Sequence, residues 1–272
     1  MFSELWLLLL SASLGFIVGL QSPENTKIVS DLEQHEVVAE QSALMEPLHI
    51  SALNIQPVMI DEWRNIDANT FTNDLSYTPA ESKAIYYFDA DGNTTESALA
   101  GGFYREILGV NAEGQTIAQD FYQDSQTPQT APFILREGYE KNFSTDGNDG
   151  RIIWYTPEGK VSMLRVFEQG EPKGWSWHKL EQGEVRINEA SGIVVFYDTN
   201  GELLAHINSQ TGDYVGYYPH GQSMFVVLAN DKTDKDYAWN ESGEPMPMVA
   251  VVDEMKNRYS LILNMLEELS DE

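Results

Sequence analysis

The sequence predicts a mainly β protein: an antiparallel β-meander of hairpin repeats, with a capping helix at the C-terminus and a hydrophobic segment at the N-terminus. Three observations support this fold class. The stretch Trp154–Val185 alternates apolar and polar residues between turns at Gly159, Gly170 and Gly183. A turn of similar composition recurs along the chain, and aromatic residues make up 11% of it. Aromatic and β-branched residues suit a pleated sheet, and glycine suits the tight corners between strands.

The N-terminus begins with an uncharged apolar run, Leu5–Leu20, which is followed by polar residues. Such a run resembles the hydrophobic region of a secretory signal, although Glu4 stands where a basic residue is typical. Its length is marginal for a membrane span, which needs about 20 residues. Residues 1–22 are therefore predicted to be a signal peptide or a membrane anchor, with a buried helix as the remaining alternative. We expect an exported protein, periplasmic or extracellular, that touches a membrane only through residues 5–20 if they are not cleaved.

Residues 23–83 form a polar, acid-rich stretch punctuated by prolines at 23, 47, 57 and 79. Apolar residues recur at roughly helical spacing between Lys27 and Met45, which predicts a short helix there. The apolar group Ile55–Ile60 contains Pro57 and indicates an extended edge segment. We expect this stretch to be a partly helical spacer or cap.

Glycine-centred turns then repeat from residue 84 to about residue 250. In five of them an apolar residue stands four places before the glycine and a polar residue follows it, and half-period copies lie between these five. The repeating unit is one hairpin of about 20–24 residues, a period typical of repeat architectures. We predict a hairpin-repeat domain over residues 84–250, with turns at Gly92, Gly114, Gly159, Gly183, Gly201, Gly221 and Gly243.

The best copy of the repeat carries a family resemblance. Trp154, Tyr155, Gly159, Lys160 and Val161 fill the first half of its pattern, and Phe167, Gly170, Gly174 and Trp177 fill the second. This pattern resembles the MORN-type repeat, in the variant found in bacterial antitoxin-like proteins. The resemblance implies an elongated β-meander that binds partners, and it implies no enzymatic activity. The stretch Thr127–Asp149 departs from the pattern and leads into a loop-like run, Asp146–Gly150.

Residues 253–270 are predicted to form an amphipathic C-terminal helix. Asp253 is placed to cap it. Its apolar face is formed by Met255, Tyr259, Ile262, Leu263, Leu266 and Leu269. Met265 is predicted near the edge of this face. We expect this helix to cover the last hairpin, with partner binding as the alternative role.

Composition excludes several classes of function. The chain of 272 residues has 16 basic and 43 acidic residues, and its formal charge is -27. So acidic a chain is not expected to bind nucleic acid, because binding phosphates requires basic groups. The absence of cysteine excludes disulfides, thiolate metal sites and cysteine nucleophiles. The five histidines lack metal-ligand spacing, and no phosphate loop, nucleophile elbow or dinucleotide motif occurs, so no metal, cofactor or catalytic residue is predicted.

The most distinctive candidate binding residues are aromatic. Trp175 and Trp177 are predicted to share one face of a strand and Ser176 to lie on the other. Two interpretations stay open: these rings pack across strands in the core, or they form an exposed strip that binds a partner. The candidate binding residues are Trp154, Tyr155, Trp175, Trp177 and His178.

Three functional hypotheses follow. The leading one is a non-enzymatic, exported or envelope-associated repeat protein that binds another protein or a glycan through its sheet. The alternative is a cytosolic antitoxin- or immunity-like protein that binds a basic toxin, which the acidic charge would favour. The third is a carbohydrate hydrolase, which would need two carboxylates facing each other across a cleft.

Overall fold

The computed structural model describes residues 75–229 and 237–271. These residues are mainly antiparallel β-sheet with one α-helix at the C-terminal end, which confirms the predicted fold class. The predicted N-terminal hydrophobic segment, the helix between Lys27 and Met45 and the edge segment Ile55–Ile60 lie outside the described residues. No helix in the described ranges has the length and hydropathy needed to cross a lipid bilayer.

The chain divides into two compact units, with the boundary between Gly201 and Glu202. The described part of the first unit contains eleven strands. They are β1 (Thr78–Pro79), β2 (Ile85–Phe88), β3 (Thr94–Thr95), β4 (Phe103–Val110), β5 (Thr116–Tyr122), β6 (Phe133–Leu135), β7 (Asn148–Tyr155), β8 (Val161–Glu168), β9 (Glu171–Leu180), β10 (Gly183–Asn188) and β11 (Ile193–Tyr197).

The strands of the first unit follow the meander that the repeat predicts. From β4 to β11, each strand pairs antiparallel with the next strand along the chain. The outer edge of β4 is covered by β2 and β1, and β3 pairs with β2. The short strand β1 therefore brings the last residues of the predicted spacer, 75–83, next to the sheet.

The second unit is a smaller meander that ends in the helix. Its strands are β12 (Leu203–Asn208), β13 (Tyr214–Tyr217), β14 (Ser223–Val227), β15 (Tyr237–Trp239) and β16 (Pro245–Met246), and consecutive strands pair antiparallel. A 3-10 turn, Met248–Val251, leads into helix α1 (Val252–Asp271).

Six of the seven predicted glycine turns share one geometry. Each glycine has a φ between 79° and 87° and donates its N–H to the carbonyl three residues earlier, within 3.1 Å. Positive φ is the conformation that glycine adopts without steric cost, so the recurring glycine has a local physical cause. These turns are centred on Gly92, Gly114, Gly159, Gly201, Gly221 and Gly243.

The turn predicted at Gly183 needs a correction. Gly183 is the first residue of β10 and pairs with Leu180, so the turn consists of the two residues Glu181 and Gln182. The pairing of β9 with β10 continues to the very end of both strands, which leaves no room for the longer turn of the other copies.

The loop-like run at Asp146–Gly150 is also more ordered than predicted. Residues Thr145–Gly147 form a 3-10 turn, and β7 begins directly after it at Asn148. Asn148 and Asp149 belong to this strand because they pair with Leu135 and Ile134 of β6.

Helix α1 packs on the sheet of the second unit through its predicted apolar face. Met255 joins a buried cluster with Met224 and Phe225 of β14 and with Ala238 of β15. Met265 is fully buried in the middle of that face and not at its edge.

The predicted cap of the helix is corrected as well. Asp253 lies in the first turn of α1, which continues directly from the 3-10 turn and starts at Val252. An acidic side chain in the first turn still interacts favourably with the helix dipole.

Candidate functional site

A small cavity lies on the first unit beside the predicted site residue Trp154. Its volume is about 40 Å³, and it is partly open to solvent. We call it the Arg105 cavity. Its lining combines one ion pair, hydrogen-bonding side chains and aromatic rings: Arg105, Asp120, Gln129, Thr130, Phe133, Phe143, Thr145, Asn148, Ile152 and Trp154.

Strand pairing explains why these residues meet. Arg105 of β4 lies directly opposite Asp120 of β5, so the two side chains share one face of the sheet. Asn148, Ile152 and Trp154 are separated by even numbers of residues along β7, and side chains at such spacing lie on one face of a strand.

Arg105 is the anchor of the cavity wall. Its Nε and Nη2 donate to the two carboxylate oxygens of Asp120 at 2.7 and 2.8 Å, and both side chains are buried. Its Nη1 donates to the carbonyls of Tyr139 and Asn142 at 3.1 and 2.8 Å. The guanidinium thus ties the loop between β6 and β7 to the sheet through charge-assisted hydrogen bonds.

Aromatic rings surround the same guanidinium. Its central carbon lies 5.4–5.7 Å from the ring centroids of Phe88, Phe133 and Phe143. Rings at this distance attract a cation through their quadrupole, which offsets part of the cost of burying the charge.

Several hydrogen-bonding side chains that line the cavity have no partner in the described part of the chain. Among the described residues, nothing bonds to the side-chain amides of Asn148 and Gln129 or to the indole N–H of Trp154. Asn148 as a whole is only 5% exposed, and its amide is not among the buried side-chain groups that lack a partner, so the amide stays accessible at the cavity. Thr130 accepts a hydrogen bond from the backbone N–H of Asp120, and its own hydroxyl proton remains to be donated.

Of the predicted site residues, Trp154 and its neighbour Tyr155 lie nearest this cavity. Trp154 is half-buried, and its ring meets that of Phe167 edge-on at 6.2 Å. The backbone N–H of Tyr155 donates to the carbonyl of Gln129 at 2.8 Å, and burial raises the pKa of its phenol. These contacts fix the wall of the cavity on the β7 side.

The other three predicted residues lie on β9 and differ in exposure. Trp175 is half-buried, whereas Trp177 and His178 are buried. The indole N–H of Trp177 donates to Glu184 at 3.1 Å, and Nε2 of His178 lies 3.1 Å from Oγ of Ser176. The hypothetical exposed strip therefore does not extend over Trp177 and His178, because neighbouring structure covers both faces of this part of β9.

The lysines next to these rings do not create a free positive patch. Lys179 binds Glu184 at 3.1 Å, and Lys173 lies 3.3 Å from Glu168. Both lysines are therefore neutralised by acidic residues on the paired strands.

The second unit contains a different buried polar pair. His206 Nδ1 and the hydroxyl of Tyr217 share a hydrogen bond of 2.7 Å, and both residues are buried. Burial lowers the pKa of His206 to about 4, because charging the imidazole would require desolvating a cation. This histidine is therefore neutral at pH 7.

Metal binding finds no support in the described ranges. No group of three or more His, Asp or Glu side chains is placed there to hold an ion. Of the cavity residues, Arg105, Asp120, Gln129 and Asn148 were not among the predicted site residues. The sequence held one signal for Arg105. An arginine within the otherwise largely apolar strand β4 is expected to need a buried partner.

Known proteins offer little likeness to this chain. No family model matches it, and no curated protein matches it. One similar solved structure is that of a GtfA/B complex bound to UDP and GlcNAc, with 10% identity and a TM-score of 0.17. The match covers 41% of this chain and 22% of that chain, so the matched part spans about a fifth of that chain. At this TM-score the likeness carries no argument about fold or function.

Proposed function

We propose that the chain is a non-enzymatic, exported or envelope-associated repeat protein that binds a protein or glycan partner at the Arg105 cavity. This keeps the leading hypothesis from the sequence and moves the centre of binding from β9 to the cavity beside Trp154. No cofactor takes part.

The observation that carries the proposal is the set of unpartnered groups around the cavity. The amides of Asn148 and Gln129 have no described partner, and both residues line the cavity together with the half-buried ring of Trp154. Binding sites combine a few hydrogen-bonding groups with apolar walls. A ligand that satisfies these groups would therefore gain affinity from them.

The state of Asp120 favours binding over hydrolysis. It is the only acidic residue among the ten that line the cavity, and Arg105 engages both of its oxygens. Glycoside hydrolysis normally needs two carboxylates, one to protonate the leaving group and one to activate water or attack the sugar. A carboxylate locked in a buried ion pair is poorly suited to either role.

The sequence supplies the remaining support. The uncharged run Leu5–Leu20 favours export. The MORN-type resemblance is best in the copy that begins at Trp154 and favours partner binding on the sheet. Trp154 itself lines the cavity.

Site-specific photo-crosslinking tests the proposal. Thr145 is exposed and lines the cavity, so a diazirine side chain there would react with a bound partner. The matched control carries the same side chain in place of Asn257, an exposed residue of helix α1. Exposed to an envelope extract of the source cell, the Thr145 variant should give a discrete product that excess unlabelled protein suppresses. Equal products at both positions, or none at either, would contradict the proposal.

A further inference from the structure

We infer that the Arg105 cavity recognises an uncharged carbohydrate, with one hydroxyl or hydroxymethyl group inside the cavity and the sugar ring outside, against Trp154. This inference rests on the proposed function and names the chemical class of its ligand.

The size of the cavity restricts what enters it. At about 40 Å³ it exceeds the space that one water molecule needs, about 10–15 Å³ on a comparable measure. It is far below the roughly 300–1,000 Å³ of sites that enclose a whole small molecule. The cavity therefore admits a single small polar group and leaves the rest of the ligand at the mouth.

The charges of the lining residues restrict further which ligand group can enter the cavity. Arg105 and Asp120 are the only charged residues that line the cavity, and their charges compensate each other within an ion pair. An anionic group would meet the carboxylate, and a cationic group would meet the guanidinium. Because a buried charge without its own partner is strongly disfavoured, a neutral group fits best.

The hydrogen-bonding groups select for a hydroxyl. Amides offer both donors and acceptors, and Asn148, Gln129 and Thr130 surround one small volume. A hydroxyl group donates and accepts at a single atom, so it can satisfy this mixed set. A sugar ring would present further hydroxyls at the mouth, where Thr145 is exposed.

Trp154 provides the apolar surface that such a ligand needs. Its ring is half-buried and packs against the core cluster that contains Phe133, Ile152 and Phe167. An aromatic ring fixed by packing gives contact area at low entropic cost. The apolar C–H face of a sugar ring can lie against this aromatic ring while one hydroxyl enters the cavity.

The test uses the full chain and a panel of simple methyl glycosides. The panel contains neutral hexosides, an anionic uronic acid glycoside and a cationic amino sugar glycoside. Binding is followed by NMR through the indole N–H resonance of Trp154, which is assigned by its disappearance in Trp154→Phe. Two variants, Asn148→Ala and Gln129→Ala, each remove one cavity amide, and Asn257→Ala removes an exposed amide on α1 as a control.

The expected result is saturable movement of the Trp154 resonance with at least one neutral glycoside. Asn148→Ala and Gln129→Ala should each weaken this binding about 2- to 10-fold, as loss of one hydrogen bond does, and Asn257→Ala should not. Movement only with a charged glycoside, or an unchanged affinity in both cavity variants, would overturn the inference.

The outcome is separable from that of the proposed function. If no glycoside moves the resonance while a protein partner still crosslinks at Thr145, the carbohydrate assignment is wrong and the binding role stands. If no glycoside moves the resonance and no partner crosslinks at Thr145, both the carbohydrate assignment and the proposed binding function are wrong.

Discussion

Arg105 and Asp120 form a bidentate ion pair, with N–O distances of 2.7 and 2.8 Å, between paired positions of β4 and β5. Both side chains are buried, and the arginine also binds two carbonyls of the loop between β6 and β7. The pair therefore serves the fold and shapes the cavity at the same time.

Removing one partner of this pair should destabilise the protein strongly. Asp120→Ala leaves a buried guanidinium without its counter-charge, which typically costs about 3–5 kcal/mol. The matched control is Lys83→Ala, because Lys83 pairs with Glu106 at the surface and such pairs contribute about 0–1 kcal/mol. Urea unfolding of both variants measures the difference, and similar losses would show that Arg105 does not anchor the loop.

The two tryptophans of β9 should behave differently on truncation. Trp177 is 3% exposed and hydrogen-bonded to Glu184, so Trp177→Ala should cost about 3–5 kcal/mol of unfolding free energy. Trp175 is half-buried, and Trp175→Ala should cost clearly less. Equal losses of unfolding free energy in the two variants, measured by thermal or urea unfolding, would contradict the finding that Trp177 is buried and Trp175 only half-buried.

Acid should destabilise the protein through His206. Its pKa is about 4 in the folded protein against 6.5 in the unfolded chain, so below pH 6.5 the unfolded state binds the proton first. Above pH 6.5 the imidazole is neutral in both states and does not reduce the free energy of unfolding. As the pH drops from 6.5 to 4, this free energy falls by about 3 kcal/mol in total.

The variant His206→Phe checks this assignment. It keeps a ring in the core and removes the titrating group, so the slope of unfolding free energy between pH 6.5 and 4 should flatten. His220→Gln, at an exposed histidine, should leave the slope unchanged. A slope that persists in His206→Phe would assign the acid sensitivity to other groups.

Two turn glycines should differ in their tolerance of a side chain. Gly159 and Gly170 both have positive φ, at 79° and 87°. A Cβ at Gly159 would meet open space, whereas one at Gly170 would overlap the backbone oxygen of Asp146. Gly159→Ala should therefore cost about 1–2 kcal/mol from backbone strain alone, and Gly170→Ala more. Equal losses of unfolding free energy in the two variants, measured by urea unfolding, would mean that the backbone at Asp146 moves aside without energetic cost.

Local sequence predicted those parts of the fold that local physics determines. The glycine turns were found because positive φ at Gly92 or Gly159 has a residue-level cause. The helix was found because its apolar face repeats at helical spacing. The turn predicted at Glu181–Gly183 is present but one residue shorter, because the pairing between β9 and β10 already includes Gly183.

The cavity could not be found in this way. Arg105 meets Asn142 across 37 residues, and it meets Asp120 only because β4 and β5 pair in the register that the structure shows. Burial of Trp177 and partial exposure of Trp175 likewise depend on what covers each face of β9. Such facts belong to long-range packing, which the alternation of residues along one strand does not encode.

The central claim is that partners bind at the Arg105 cavity and not at the aromatic residues of β9. The affinity of the crosslinked partner for three proteins tests this most directly: wild type, Asn148→Ala with Gln129→Ala, and Trp175→Ala. Losing two hydrogen-bonding groups should weaken binding by about tenfold or more, and Trp175→Ala should leave the affinity essentially unchanged. The reverse result, with full affinity in the cavity variant and a loss in Trp175→Ala, would contradict the claim.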